Sequence, residues 1–144
     1  YLITFCTERR LCLFGTVVDG ELIPSPAGVV MDSWWHYLPA RYASVELDAA
    51  IVMPNHFHAI VHLVTDPGVE TLPSLGGIVH WFKKHTMYDY AVGVRTEGWP
   101  RFPGRLWQQQ YYDRIVRDER GLERAREYVI GNPGKWADDD YYQP

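Results

Sequence analysis

Cysteine is nearly absent: the 144 residues hold two, Cys6 and Cys12. That scarcity excludes a small secreted domain built on disulfides and points to the reducing cytoplasm. It also argues against a thiolate zinc site, because a Cys-x5-Cys pair with no further thiol lacks zinc-site spacing. No apolar run reaches the ~18 residues of a membrane-spanning helix, and no charged leader followed by a short apolar stretch marks export. An excess of positive charge is missing too, since 14 Lys and Arg stand against 18 Asp and Glu for a net charge of −4. Affinity for a polyanion therefore cannot come from overall charge and has to come from local basic clusters. There is no internal repeat and no low-complexity tract.

Apolar side chains make up 47% of the chain and aromatic ones 15%, with six Trp and ten Tyr. At this length they suffice for one well-buried core, so residues 1–144 read as a single domain. The basic residues do cluster: Arg9-Arg10, Lys83-Lys84-His85, Arg114 and Arg117, and Arg120, Arg124 and Arg126. Part of the opposing charge sits in Asp138-Asp139-Asp140.

Residues 1–7, rich in β-branched and aromatic types, predict a strand. Asp19-Gly20 predicts a tight hairpin turn between residues 16–18 and 21–23. Ser25-Pro26 opens a helix as N-cap and first-turn proline, and Val29, Val30, Trp34, Tyr37 and Leu38 recur at helical spacing until Pro39. Two antiparallel strands follow, residues 45–53 and 56–64, separated by the Pro54-Asn55 break. Residues 65–73 predict a loop. Ser74 caps a second helix with Leu75, Ile78, Val79, Phe82 and Met87 as its apolar stripe and Lys83, Lys84 and His85 near its exposed side. Residues 93–104, with Gly98, Pro100, Pro103 and Gly104 as breakers, predict a flexible loop, and residues 106–112 a short strand that 112–116 continue or follow as a turn. Asp118 caps a last helix with Leu122, Ala125 and Val129 as its buried stripe, ended by Asn132-Pro133-Gly134. The order of elements predicts an α+β fold of the ferredoxin-like, split βαβ type: an antiparallel sheet with an added C-terminal helix.

Within the apolar run Ile51–Val64, His56 and His58 are two apart, so an extended backbone projects both imidazoles to one side and Phe57 to the other. Two convergent imidazoles suit a divalent metal and leave positions open for oxygen ligands. The same spacing also arises from ordinary histidines in a half-buried strand. His62 lies on the same face as His58 but two residues beyond the pair, and carries no ligand role. On the last helix Tyr128 and Asn132 are four apart and so neighbours, placing a phenol beside a carboxamide oxygen. Packing tyrosine and capping asparagine would give that pattern as well.

The motifs occur together and in order: Met53-Pro54-Asn55-His56-Phe57-His58, Lys83 in an aromatic helix, Trp107-Gln108, Tyr112-Asp113-Arg114-Ile115-Val116-Arg117-Asp118, and Glu127-Tyr128-Val129-Ile130-Gly131-Asn132-Pro133-Gly134-Lys135-Trp136. Taken together they resemble the HUH single-strand DNA transposases that use one catalytic tyrosine, and most of all the REP-associated tyrosine transposase branch. The likeness runs from the first strand to Trp136. It implies that His56 and His58 bind Mg²⁺ or Mn²⁺, that Asn132 supplies the third, amide ligand, and that Tyr128 is the nucleophile. It further implies cleavage and rejoining of single-stranded DNA near hairpin-forming palindromes through a 5′-phosphotyrosine, by a monomer or homodimer. Lys83, Lys84, Arg114 and Arg117 are then candidates for phosphate contacts, and Trp107, Tyr111 or Tyr112 for base stacking. The acidic net charge departs from what a DNA enzyme normally carries and predicts that few contacts hold the DNA.

Two other readings keep the fold. A non-catalytic nucleic-acid-binding module would need neither Tyr128 nor metal. A metal-dependent hydrolase would use the histidines with a nearby carboxylate, Asp113 among the choices, to activate water, leaving Tyr128 structural.

Overall fold

The computed structural model describes residues 1–65, 68 and 72–144. The chain forms β1 (Leu2–Cys6), a hairpin of β2 (Gly15–Val18) and β3 (Glu21–Pro24), α1 (Pro26–Arg41), β4 (Val45–Val52), β5 (His56–Leu63), α2 (Leu75–Thr96), β6 (Tyr112–Arg114) and α3 (Glu119–Ile130), with 3-10 turns at Glu8–Arg10 and Pro133–Asp138. The main sheet runs β4-β5-β1-β6 with every neighbour antiparallel. This is the ferredoxin-like α+β arrangement, with the β2-β3 hairpin inserted after β1 and α3 added after β6.

Alternation along β1 and β5 sorts their side chains onto two faces. Ile3, Phe5, Phe57, Ala59 and Val61 join Met31, Trp35 and Leu38 of α1 and Ile78 and Phe82 of α2 in the main core. Its centre is aromatic: the Phe5 ring lies 5.1 Å from Phe57 and 4.9 Å from Trp107. The other face carries Leu2 and Ile60, which pack with Ala125 and Val129 of α3 as a second, smaller core. His56 and His58 belong to that face.

The caps fall where expected: Ser25 Oγ accepts from Gly28 N at 3.1 Å, Ser74 Oγ from Gly77 N at 3.0 Å and Asp118 Oδ1 from Gly121 N at 2.6 Å. Asp19 and Gly20 both take positive φ, 51° and 78°, which is the type I′ hairpin geometry.

Several expectations are corrected. The first helix continues past Pro39 to Arg41: the proline lies within the last turn, where few helical bonds remain to be lost, and Tyr42 N still donates to Leu38 O at 2.8 Å. Its buried stripe is Ala27, Met31, Trp35 and Leu38, while Val29 and Tyr37 are exposed. With apolar residues on two sides of the helix, periodicity alone did not choose the core face. In α2 the buried position is Thr86, not Met87, and the helix runs through Gly93 to Thr96. Gly93 is needed there because a Cβ would enter the ring of Trp99. Residues 106–111 form no strand. Trp107 makes a single bridge to Thr7 before its ring enters the core, and the edge strand is only Tyr112–Arg114. Most of the expected 65–73 loop lies outside the described residues. Among the described residues, no helix is long and apolar enough to cross a membrane.

Candidate functional site

Strand register decides what meets on the α3 side of the sheet. Thr4 pairs with His58 on one flank and Tyr112 on the other, Cys6 pairs with His56, and Leu2 pairs with Ile60 and Arg114. Directly opposed residues of antiparallel strands project to the same side. His58, Thr4 and Tyr112 thus form one row across three strands, with His56 and Cys6 on one side of it and Ile60, Leu2 and Arg114 on the other.

The two imidazoles are fully buried and their ring centres lie 4.5 Å apart. Each is held through Nδ1, His58 by Thr4 Oγ1 at 2.7 Å and His56 by Asn55 Oδ1 at 2.9 Å. Such outer bonds orient ring ligands and direct Nε2 into the site. Burial pushes His56 down to about 4, with Asn132 opposing that shift and Arg10 adding to it. Burial also pushes His58 down to about 3, aided by His56 and opposed by Asp139. Both rings are therefore neutral at pH 7, the form that ligates metal.

The seating of Ala125 and Val129 on Leu2 and Ile60 leaves Tyr128 at the edge of the second core, 44% exposed. Its hydroxyl lies 3.3 Å from His58 Nε2. Burial raises its pKa, Asp139 and Asp140 raise it further, and Arg114 acts in the opposite direction. Beside it a pocket of about 290 Å³ is lined by Leu2, Thr4, Tyr112, Asp113, Arg114 and Tyr128.

Past Gly131 the chain folds back over the histidines. Asn132 begins the second 3-10 turn and is buried, rather than lying at a frayed helix end. Tyr141 places its ring 4.8 Å from that of His56, and Trp136 lies 5.9 Å away. Asp139 completes a group: its carboxylate and the ring nitrogens of His56 and His58 lie within 4.8 Å of one another.

The donor set fits a divalent ion. Asn132 is close enough to favour a protonated His56, yet among the described residues His56 Nε2 and Asn132 Oδ1 have no hydrogen-bond partner. Buried polar atoms without partners are rare and costly. Two imidazoles and a carboxylate gathered within 4.8 Å, with Asn132 beside His56, make a mixed nitrogen and oxygen donor set that could hold a divalent ion.

The basic candidates separate. Arg114 lies beside Tyr128, while Arg117 lines a different depression near His62 and the start of α3. Lys84 is exposed on α2, on the opposite side of the sheet. Lys83 is half-buried rather than exposed: its ammonium donates to the carbonyls of Gln108 and Gln110 at 2.9 and 3.3 Å, and burial pushes its pKa down to about 8. Among the stacking candidates Trp107 is only 4% exposed and bonds Thr86 Oγ1 at 2.9 Å, so it is a core residue. Tyr112 is 68% exposed beside Tyr128, and Tyr111 packs against the main core. His62 is held by Asp48 at 3.0 Å, apart from the metal group. Asp113 pairs with Ile3, so it projects away from Tyr112 and Arg114.

Sequence reasoning missed Asp139 as a candidate ligand. The run Asp138-Asp139-Asp140 read as counter-charge, and no local spacing links it to histidines about eighty positions earlier. It also missed Thr4, whose place beside His58 follows from strand pairing alone.

No family model matches the chain. It is similar to an uncharacterized protein of Haemophilus influenzae, with 28% identity over 161 aligned positions that span 99% of this chain and 84% of that protein.

Proposed function

We propose that this protein is a metal-dependent single-stranded DNA nuclease and strand transferase that uses Tyr128 as its nucleophile, as in the HUH transposases its motifs resemble. The observation that carries the reading is the Tyr128 hydroxyl 3.3 Å from His58 Nε2, with His56 Nε2 and Asn132 Oδ1 left without hydrogen-bond partners among the described residues. A hydrolase that activates water has no use for a phenol so placed, and a passive binding module has no use for two neutral, converging imidazoles.

In this reading His56, His58 and Asn132 hold Mg²⁺ or Mn²⁺, joined by Asp139. Bound there, the ion supplies positive charge to the scissile phosphate. The phenol is protonated at neutral pH, its pKa raised further above that range by burial, so it passes its proton to water as it attacks, while the departing O3′ takes one up from water. The Tyr128 Oη–P bond forms, the P–O3′ bond breaks, and a 3′ hydroxyl and a 5′ phosphotyrosine result; the reverse attack rejoins strands. Arg114 counters the negative charges of Asp139 and Asp140 at the phenol and stands where an incoming phosphate would lie. Tyr112 offers an exposed ring for base stacking. The substrate is a hairpin-forming single strand in the cytoplasm, in keeping with free thiols at Cys6 and Cys12.

The test is incubation of end-labelled hairpin DNA with Mg²⁺ or Mn²⁺, followed by a denaturing gel. A metal-dependent protein–DNA adduct that Tyr128→Phe abolishes is the expected result. Equal cleavage by both proteins with no adduct would replace this reading with the hydrolase.

A further inference from the structure

We propose that Asn55 is a positioning residue that decides which nitrogen of His56 carries the proton. The use made of this tautomer rests on the metal-site reading above, whereas the hydrogen-bond logic does not.

Asn55 is fully buried, and the two ends of its carboxamide are engaged differently. Nδ2 donates to two backbone carbonyls, those of Arg10 at 3.1 Å and Tyr141 at 2.7 Å. A primary amide has two N–H donors, and both are committed here. Turning the amide over would set its oxygen against two carbonyl oxygens with no proton between them, so one orientation survives. In that orientation Oδ1 faces His56 Nδ1 at 2.9 Å. An amide oxygen only accepts, hence Nδ1 carries the proton and donates, and Nε2 keeps its lone pair. Among the described residues Nε2 is the nitrogen without a hydrogen-bond partner, and it lies 3.9 Å from Asp139 Oδ2.

The carbonyls that hold Asn55 come from distant parts of the chain. Arg9 and Arg10 both take left-handed φ values, 56° and 55°, which non-glycine residues adopt only where their surroundings hold them. The Arg10 side chain is tied down, with Nη1 donating to Asp140 O at 2.7 Å and the guanidinium 5.3 Å from the Tyr141 ring. That strained turn delivers the Arg10 carbonyl, and the segment after Trp136 delivers the Tyr141 carbonyl. Asn55 can reach its neighbour's ring because it sits in the bend ahead of β5 rather than within the strand, where adjacent side chains would diverge.

The test is long-range ¹H–¹⁵N NMR of the histidine rings at pH 7 in the metal-free, full-length protein, comparing native protein with Asn55→Ala. The native His56 should show a protonated Nδ1 and an unprotonated Nε2. Asn55→Ala should shift the proton toward Nε2 and weaken Mn²⁺ binding about tenfold to a hundredfold. A native ring protonated on Nε2, or an unchanged tautomer in Asn55→Ala, overturns the proposal. Should Asn55→Ala fail to fold, the native spectrum decides alone. A native Nδ1–H ring in a protein that binds no Mn²⁺ would sink the metal-site reading and leave the role of Asn55 standing.

Discussion

Arg126 and Asp48 form a two-pronged pair, Nε to Oδ1 at 2.9 Å and Nη2 to Oδ2 at 2.8 Å, that ties α3 to β4 two residues before Tyr128. Asp48 also accepts from Ala49 N and bonds His62, at 2.7 and 3.0 Å. The pair therefore helps set where the phenol stands above the sheet. If Tyr128 is the nucleophile proposed above, Asp48→Ala should lower cleavage about tenfold to a hundredfold by displacing it, with Mn²⁺ affinity unchanged. Calorimetric titration beside the cleavage assay separates the two effects, and equal loss of both would show that Asp48 does not act through Tyr128.

The same carboxylate carries an acid limit. The hydrogen bond from Arg126 holds Asp48 well below the ordinary carboxylate range. A depressed carboxylate stabilises the fold above its unfolded pKa, and that contribution is lost as pH falls through the lower folded value. Asp48→Asn should therefore flatten the decline of thermal stability below about pH 4, measured as melting temperature against pH.

The histidines act in a different window. Their folded pKa values, about 4 for His56 and about 3 for His58, lie below the unfolded value. As pH drops below about 6.5 the unfolded chain takes up protons that the folded one refuses, so stability falls toward pH 4 and is unaffected above 7. Between pH 7 and 5.5 the cost is on the order of 1 kcal/mol per histidine in metal-free protein. Urea unfolding at the two pH values checks this, and His58→Ala should remove about half of the difference.

Asp139 makes a separate claim on the site. Asp139→Asn removes a negative charge that raises the Tyr128 pKa, so ultraviolet titration of the phenol should move to lower pH. The same change should weaken Mn²⁺ binding by tenfold or more, since a carboxylate is the stronger ligand for a hard cation. Unaltered Mn²⁺ affinity would remove Asp139 from the ligand set.

Gly93 tests the packing of α2. An added Cβ would meet the Trp99 ring, so Gly93→Ala should destabilise by about 1–3 kcal/mol through overpacking, although alanine favours helix. Equilibrium denaturation would measure it, and a gain in stability would contradict the close fit.

The sequence by itself determined the element order, the three helix caps, the Asp19-Gly20 turn and the shared face of His56 and His58. These depend on neighbours within a few residues: a hydroxyl or carboxylate reaching back to a helix N–H, two positive φ angles, or the two-residue repeat of a strand. It did not determine which face of α1 is buried, because apolar residues lie on two sides of that helix and only the sheet selects one. Nor could local pattern join Thr4 and Asp139 to the histidines, since strand register and the fold-back after Asn132 bring them together. The tertiary structure decided the composition of the site, because the candidate ligand atoms of His56, His58 and Asp139 converge only once separate segments share one buried face of the sheet.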